Sequence, residues 1–228
     1  VFPVDVLRII ELCTPENMSL AELREDAQFK KLPAGEIRNY IGRLIEIASG
    51  RADKVISANR KLKPGLTDIC RSKGVSVNLI DSPDTRAGRH FRAEIYYDEK
   101  IINIMKSSVD QIYNALIYFN FNSGDNARLI SVDDIIDIHI AHELYHLIEF
   151  NDGQYTPDML PSVTGTKIFG FERKVSISKA SEAAAHIFCM RLLDLPFHPK
   201  ILDYLCLLAN GEVTRDGLIE FLEGLNGQ

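Results

Sequence analysis

Apolar residues recur at helical spacing through Ile136, Ile140, Leu144, Leu147 and Ile148, beside a second stripe of His139, His142 and His146. Residues three and four apart share a helix face, so the pattern predicts a helix of about 132 to 150 with one face for the core and a neighbouring face carrying histidines. Ser131 followed by Asp133 and Asp134 predicts where it starts, with a side-chain cap and acids at the positive end of the helix dipole. The alanine-rich run Ser178 to Leu193 predicts a second helix with Glu182 and His186 on one face, and its small side chains suit close approach to the first.

Elsewhere the period changes. A short helix ending at Lys73-Gly74 is followed by the alternating strand Val75 to Ile80, and Ala93 to Tyr97 with Ile101 to Met105 predict a hairpin turning at Asp98-Glu99-Lys100. Ser108 is expected to cap a helix Val109 to Phe119, with a loop from Asn120 to Asn126. The first sixty residues predict three helices, Val4 to Cys13, Leu20 to Phe29 and Gly35 to Ser49, joined at Thr14-Pro15-Glu16-Asn17 and Leu32-Pro33. That layout resembles a helix-turn-helix or winged-helix unit with Glu36 to Ile47 as recognition helix. The other reading is a three-helix cap that packs on the rest of the chain or pairs two copies. A boundary is expected within Gly50 to Gly65, dividing the chain into a helical region 1–60 and a domain 61–228.

Composition narrows the partners. With 26 basic and 32 acidic side chains in 228 residues, the formal charge of −6 offers no general attraction for nucleic acid or anionic membrane. Residues 1 to 50 hold six basic and eight acidic side chains, a poor balance for gripping phosphates, although Arg38 and Arg43 could share an exposed face. The cluster Arg51, Lys54, Arg60, Lys61 and Lys63 reads as a solvated linker. No apolar run approaches the roughly 20 residues of a membrane span, and no basic-then-apolar leader is evident, so a cytoplasmic location is expected. Cys13, Cys70, Cys189 and Cys206 are scattered among apolar residues and read as buried free thiols.

The stretch His142-Glu143-Leu144-Tyr145-His146 carries the chemistry. Two histidines at i and i+4 lie about 40° apart around a helix and can reach one metal ion, and a glutamate beside them can take a proton from water there. A catalytic zinc site usually takes a third protein ligand, and the second helix offers both Glu182 and His186. His139 could steady a ligand or contact substrate, or be a hydrogen-bonded helix residue. Tyr155 could swing in as an oxyanion donor. His90 and His198 read as surface positions.

At this point the chain resembles the ImmA/IrrE-type metallopeptidases. Their H-E-L-x-H helix is followed by a helix reading E-x-x-A-x-x-F-A-x-x-L-L and then proline, matched here by Glu182, Ala185, Phe188, Leu192, Leu193 and Pro196. The resemblance covers about residues 62 to 196, with Pro64 to Ile80 as the opening unit and Ala93 to Met105 as the hairpin. It implies Glu182 as third zinc ligand with His142 and His146, and Glu143 as general base. Tyr145 stands where the family usually has glycine, Cys189 replaces an alanine, and His186 sits where asparagine or aspartate is common. Asn151 to Gly170 reads as an inserted loop over the cleft.

The expected fold is therefore α+β, a zincin-like core with a small antiparallel sheet and the metal helix, preceded by the N-terminal helices. Ile101, Ile102, Asn103 and Ile104 are expected to form a sheet edge that holds an extended peptide. His186 could orient Glu182, donate to an oxyanion, or replace a ligand. The resemblance implies a zinc endopeptidase cutting a protein such as a transcriptional repressor in a stress, phage or mobile-element response. The rival readings are a regulatory DNA- or protein-binding module with a metal-sensing or inactive peptidase-like fold, and a zinc amidase acting on small molecules.

Overall fold

Thr14 decides where the second helix begins. Its hydroxyl accepts from the Asn17 N–H at 3.2 Å and Pro15 occupies the first turn, so α2 runs Pro15–Arg24, directly after α1 (Val4–Leu12). The segment expected to join two helices is thus the cap and first turn of one, and the helix expected at Leu20 to Phe29 starts earlier. The computed structural model describes residues 4–59, 65–81, 85–86, 89–90, 92–121, 130–168 and 171–226.

The third helix, α3 (Ile37–Asn59), passes through Gly50 and takes up the first ten residues of the Gly50 to Gly65 segment, while residues 60–64 of that segment lie outside the described residues. A glycine inside a helix costs about 1 kcal/mol, and burial of Tyr40, Ile41, Leu44, Ala48 and Ala52 along one face outweighs it. Arg51 lies on that buried face and is no part of a solvated linker. Lys54, Arg38 and Arg43 are exposed, while Arg60, Lys61 and Lys63 lie outside the described residues.

After α4 (Leu66–Ser72) the chain turns at Gly74, whose φ of +76° suits a residue without a side chain, into β1 (Ser76–Ile80). The minimal hairpin β2 (Thr85–Arg86) with β3 (Arg89–His90) precedes β4 (Ala93–Tyr96) and β5 (Ile101–Met105). β4 and β5 pair antiparallel as expected, but β1 pairs with β5 in parallel, from Ser76 opposite Ile101 to Ile80 opposite Met105. The sheet is mixed, with order β1-β5-β4, so Ile101 to Met105 is its middle strand and not an edge. Both sides of its backbone are engaged, and Ile102 and Ile104 are fully buried.

The next helix, α5 (Lys106–Tyr118), begins before Ser108, whose hydroxyl accepts from Arg92 at 3.1 Å instead of capping. Of the loop expected at Asn120 to Asn126, residues 122–126 lie outside the described set. Then α6 (Val132–Asp152) opens with a reciprocal cap: Asp134 N–H donates to Ser131 Oγ at 3.1 Å, and Ser131 N–H donates to Asp134 Oδ2 at 2.9 Å. It ends at Gly153 in the left-handed region. Burial covers more of α6 than one stripe, because the sheet, α4 and α5 pack on it as well as the later helix that supplies Glu182.

The expected loop after α6 is structured, as α7 (Thr156–Met159) and a hairpin of β6 (Val163–Ile168) with β7 (Phe171–Val175). Gly165 has no room for a side chain: a Cβ there would sit 2.9 Å from the Arg173 carbonyl and from Val175. Three helices follow, α8 (Ala180–Leu192), α9 (Ile201–Ala209) and α10 (Arg215–Glu223). α8 packs on α2, α3 and α6, α9 on α5, and α10 on α1, where Arg8 meets Glu223 at 2.8 Å. The architecture is α+β and rich in helix.

Buried apolar residues from Val6 to Leu225 form one continuous cluster, which includes both the N-terminal helices and the histidine helix. All four cysteines are buried and free. Among the described residues no helix is long and apolar enough to cross a membrane. Leu44, fully buried on α3, tests the shared core. Leu44→Ala is expected to lower stability by about 3 kcal/mol and to shift a single denaturant transition of the whole chain; a second transition affecting residues 1–59 alone would contradict it.

Candidate metal centre

Three donor side chains converge between α6 and α8, with each Glu182 oxygen meeting a different histidine. His142 Nε2 and His146 Nε2 are 3.2 Å apart, Glu182 Oε2 lies 3.3 Å from the first, and Glu182 Oε1 lies 3.6 Å from the second. Metal–nitrogen bonds of about 2.05 Å in a tetrahedron place neighbouring ligand atoms about 3.3 Å apart. The group could therefore hold one metal ion at ordinary bond lengths. Helix periodicity supplies the two histidines, and the close α6–α8 packing supplies the carboxylate. Ala180, Ala183, Ala184 and Ala185 of α8 and Ala141 of α6 are all buried, and small side chains let helix axes approach.

The start of α8 is fixed from outside. Its own cap residue, Lys179, makes no side-chain capping bond, but the Lys179 N–H and the Ser178 hydroxyl both donate to Asp26 Oδ2, at 3.3 and 2.8 Å. Lys179 Nζ also reaches Glu22 at 2.9 Å and Glu25 at 2.8 Å. The end of α2 thus anchors the first turn of α8, and Glu182 sits in that turn. Burial opposes the Glu182 carboxylate, but the hydrogen bond and charge of His142, with His146 and Lys179, bring its pKa down to about 2.

Each histidine is held by its surroundings. His146 Nδ1 faces Ser181 Oγ at 3.2 Å and Glu149 Oε2 at 3.5 Å, and the Ser181 hydroxyl donates to the same carboxylate. Glu149 is almost wholly buried; its other oxygen accepts from the Thr156 N–H at 2.7 Å and from Arg51 Nη1 at 3.2 Å. Arg51 also bonds the Thr156 hydroxyl and the Gln154 carbonyl, and its guanidinium lies 5.1 Å from the Tyr145 ring centre. The Tyr145 hydroxyl meets that of Thr156. Burial opposes the charged form of His142, but the neighbouring Cys189 thiol, which donates to the Ile138 carbonyl at 3.5 Å, and the Glu182 carboxylate raise its pKa.

The donors open on a cleft of about 610 Å³. Glu143 lines it and is buried; burial pushes its carboxyl up, against the pull of His142 and His146, and Glu182 and Glu94 push it further. His139 also lines the cleft, with Nε2 lacking a hydrogen-bond partner among the described residues, and burial brings its pKa down to about 3. His186 is no part of the donor group; its ring sits 4.9 Å from that of His142 and 5.6 Å from that of His198. Burial and the neighbouring His142 and His198 hold it well below the usual histidine range. Tyr155 stands on the rim, 42% exposed.

The sheet edge beside the cleft is β4, and Ala93, Glu94 and Ile95 line it. Ile101, Ile102, Asn103 and Ile104 are displaced from that part by the parallel pairing with β1. His198 is 2% exposed and not on the surface, and the side chain of His90 lies outside the described residues. Sequence reasoning passed over Glu149 and Ser181. Glu149 was findable, since three residues after His146 on a helix is the same face. Arg51, 98 residues away from Glu149, gave no local signal.

Comparison of the chain with family models, with curated proteins and with solved structures gives no match.

His198 yields a pH test. Its Nδ1 accepts from the Lys200 N–H at 3.2 Å, and burial followed by the Lys200 charge brings its pKa down to about 3 from an ordinary 6.5. The unfolded chain binds a proton there that the folded chain refuses. The stability it contributes is full above about pH 6.5 and is lost as pH falls towards about 3. His198→Asn keeps an acceptor for Lys200 and removes the titration. Denaturation between pH 6 and 4 should then show a slope shallower by about 1.4 kcal/mol per pH unit; an unchanged slope would mean His198 titrates freely.

Proposed function

We propose that this protein is a zinc endopeptidase with a zincin-like core. The observation that carries the reading is the triangle of His142, His146 and Glu182 donors at 3.2 to 3.6 Å with the buried Glu143 carboxyl in the same cleft. A His₂Glu set suits zinc, which also tolerates the open fourth position that a cleft provides. Zinc held by these residues supplies Lewis acidity, acidifying the attacking water and polarising the scissile carbonyl.

Glu143 does the proton work. Its carboxylate takes a proton from the water as the water oxygen attacks the carbonyl carbon, and the same carboxyl returns that proton to the amine nitrogen as the peptide C–N bond breaks. The raised affinity of Glu143 for a proton suits both halves, because it accepts readily and carries the proton until the leaving amine needs it. His139 and His186, kept neutral by burial, line the cleft as uncharged ring donors or acceptors toward the substrate.

The substrate reading follows from the sheet. Among the described strands β4 is the one whose residues line the cleft, through Ala93, Glu94 and Ile95, and the cleft of about 610 Å³ has room for an extended peptide laid alongside that strand. That favours an exposed, extended segment of a protein over a small amide. The resemblance to ImmA/IrrE-type peptidases points further, to a regulatory protein such as a transcriptional repressor as the one cut.

Metal content and cleavage test the reading together. Purified protein is expected to hold close to one zinc per chain, Glu182→Ala to lose most of it, and Glu143→Gln to keep the zinc while losing at least about 100-fold in peptide cleavage. A wild-type chain that takes up no metal, or a Glu143→Gln variant that cleaves at the wild-type rate, would overturn it and favour a regulatory binding role.

A further inference from the structure

The N-terminal helices touch both halves of the metal centre. From α2, Asp26, Glu22 and Glu25 fix the first turn of α8, which carries Glu182. From α3, Arg51 reaches Glu149, which with Ser181 faces the Nδ1 side of His146. Arg51 and Glu149 are both buried, at 7% and 1% exposure, so this contact is neither screened by solvent nor adjustable by side-chain drift.

We propose that Arg51 is a positioning residue for the metal ligand His146, acting through Glu149, so that docking of the N-terminal helices sets the metal affinity of the centre. This rests on the metal-site reading above and adds to it how the site is held and regulated.

The chemistry is one of orientation. An imidazole binds a cation through one nitrogen only when the other carries the hydrogen, and a carboxylate facing that other nitrogen fixes both the tautomer and the ring plane. On the Nδ1 side of His146, Ser181 Oγ lies at 3.2 Å and itself donates to Glu149 Oε2, which stands 3.5 Å from the same nitrogen, so the carboxylate acts on Nδ1 mainly through the serine hydroxyl and leaves Nε2 for the ion. Glu149 must itself be held still. One oxygen accepts from Ser181, and the other is fixed between the Thr156 N–H and Arg51. Arg51 is the only member of this chain of contacts that comes from the N-terminal helices, and its second nitrogen ties the Gln154 carbonyl at the end of α6.

Three features otherwise without a role fall into place. Tyr145 presents its ring to Arg51 and its hydroxyl to Thr156, so a large aromatic side chain here completes the socket for the guanidinium. Thr156, fully buried in the segment after α6, donates its backbone N–H to Glu149 and accepts from Arg51 through its hydroxyl. The continuation of α3 beyond Gly50 is what carries Arg51 into the core. Movement of α3, by a bound partner or by removal of the N-terminal region, would release Glu149 and with it the orientation of His146.

The test compares zinc affinity, by competition with a chromophoric chelator, in the full-length chain and in Arg51→Met, Arg51→Lys, Glu149→Gln and Leu116→Ala, with the visible spectrum of the cobalt form as a report on ligand geometry. Arg51→Met and Glu149→Gln are expected to bind zinc about 10- to 100-fold more weakly and to alter the cobalt bands. Arg51→Lys, which keeps the charge and loses the fork, should fall between them and the wild type. Leu116→Ala lowers stability from α5, outside the N-terminal helices, and should keep the wild-type cobalt spectrum at temperatures where it is folded.

Wild-type affinity and spectrum in both Arg51→Met and Glu149→Gln would overturn the proposal. So would an equal loss of affinity in Leu116→Ala, since the effect would then be one of general stability. If Arg51→Met does not fold, Arg51→Lys and Glu149→Gln decide the matter by the same two readouts. A wild-type chain that binds neither zinc nor cobalt would instead remove the metal reading on which the inference stands.

Discussion

The close packing of α6 against α8 is the constraint on which the structure turns. A metal ion needs its donors within a few tenths of an ångström of fixed positions, and here two come from one helix and the third from another. Small side chains let helices approach closely, and α8, packed between α2, α3 and α6, is rich in them, with Ala180, Ala183, Ala184 and Ala185 all buried. The other elements serve that contact. The mixed sheet, α4 and α5 cover the far side of α6, while α2 and α3 cover α8 and hold it in place.

Electrostatics explains why so many buried polar residues surround the pair. Taking Arg51 and Glu149 out of water carries a large desolvation cost, and removing one partner of such a pair costs about 3 to 5 kcal/mol because the other charge is stranded. The structure offsets the cost by saturating both groups. Glu149 accepts from Thr156, Ser181 and Arg51, and Arg51 also donates to the Gln154 carbonyl and the Thr156 hydroxyl. An apolar cluster at the same place would fill the volume, but it could not orient an imidazole. Three of the positions that depart from the usual residues of the family the sequence resembles lie in or beside this polar interior: Tyr145 touches Arg51 and Thr156, Cys189 is buried on α8 with its sulfur 3.5 Å from the Ile138 carbonyl, and His186 packs on the ring of His142.

Local chemistry was legible wherever it is written in neighbouring residues. The cap at Ser131, the turn at Gly74, the strands Ser76–Ile80 and Ile101–Met105, and the grouping of His142, His146 and Glu182 all followed from spacing, cap chemistry or resemblance. Errors arose where two signals competed. Arg51 looked like part of a solvated linker because a helix-weakening glycine precedes a charge cluster, yet the burial of Ala48, Arg51 and Ala52 on one face keeps the chain helical to Asn59. Thr14 and Pro15 looked like a joint because the same residues serve turns and helix starts.

The sequence by itself determined which side chains could meet on one helix, since a period of 3.6 residues is a local property: His142 with His146, and, had it been weighed, Glu149 with His146. Tertiary structure alone decided which strand lies in the middle of the sheet, because β1 adds to the far side of β5 from a position some twenty residues earlier in the chain, and nothing in the alternation of a strand says which neighbours it will have. It alone also decided that Arg51 is an interior residue. A guanidinium is stable in the core only where a carboxylate and carbonyls already wait for it, and those come from residues about a hundred positions away.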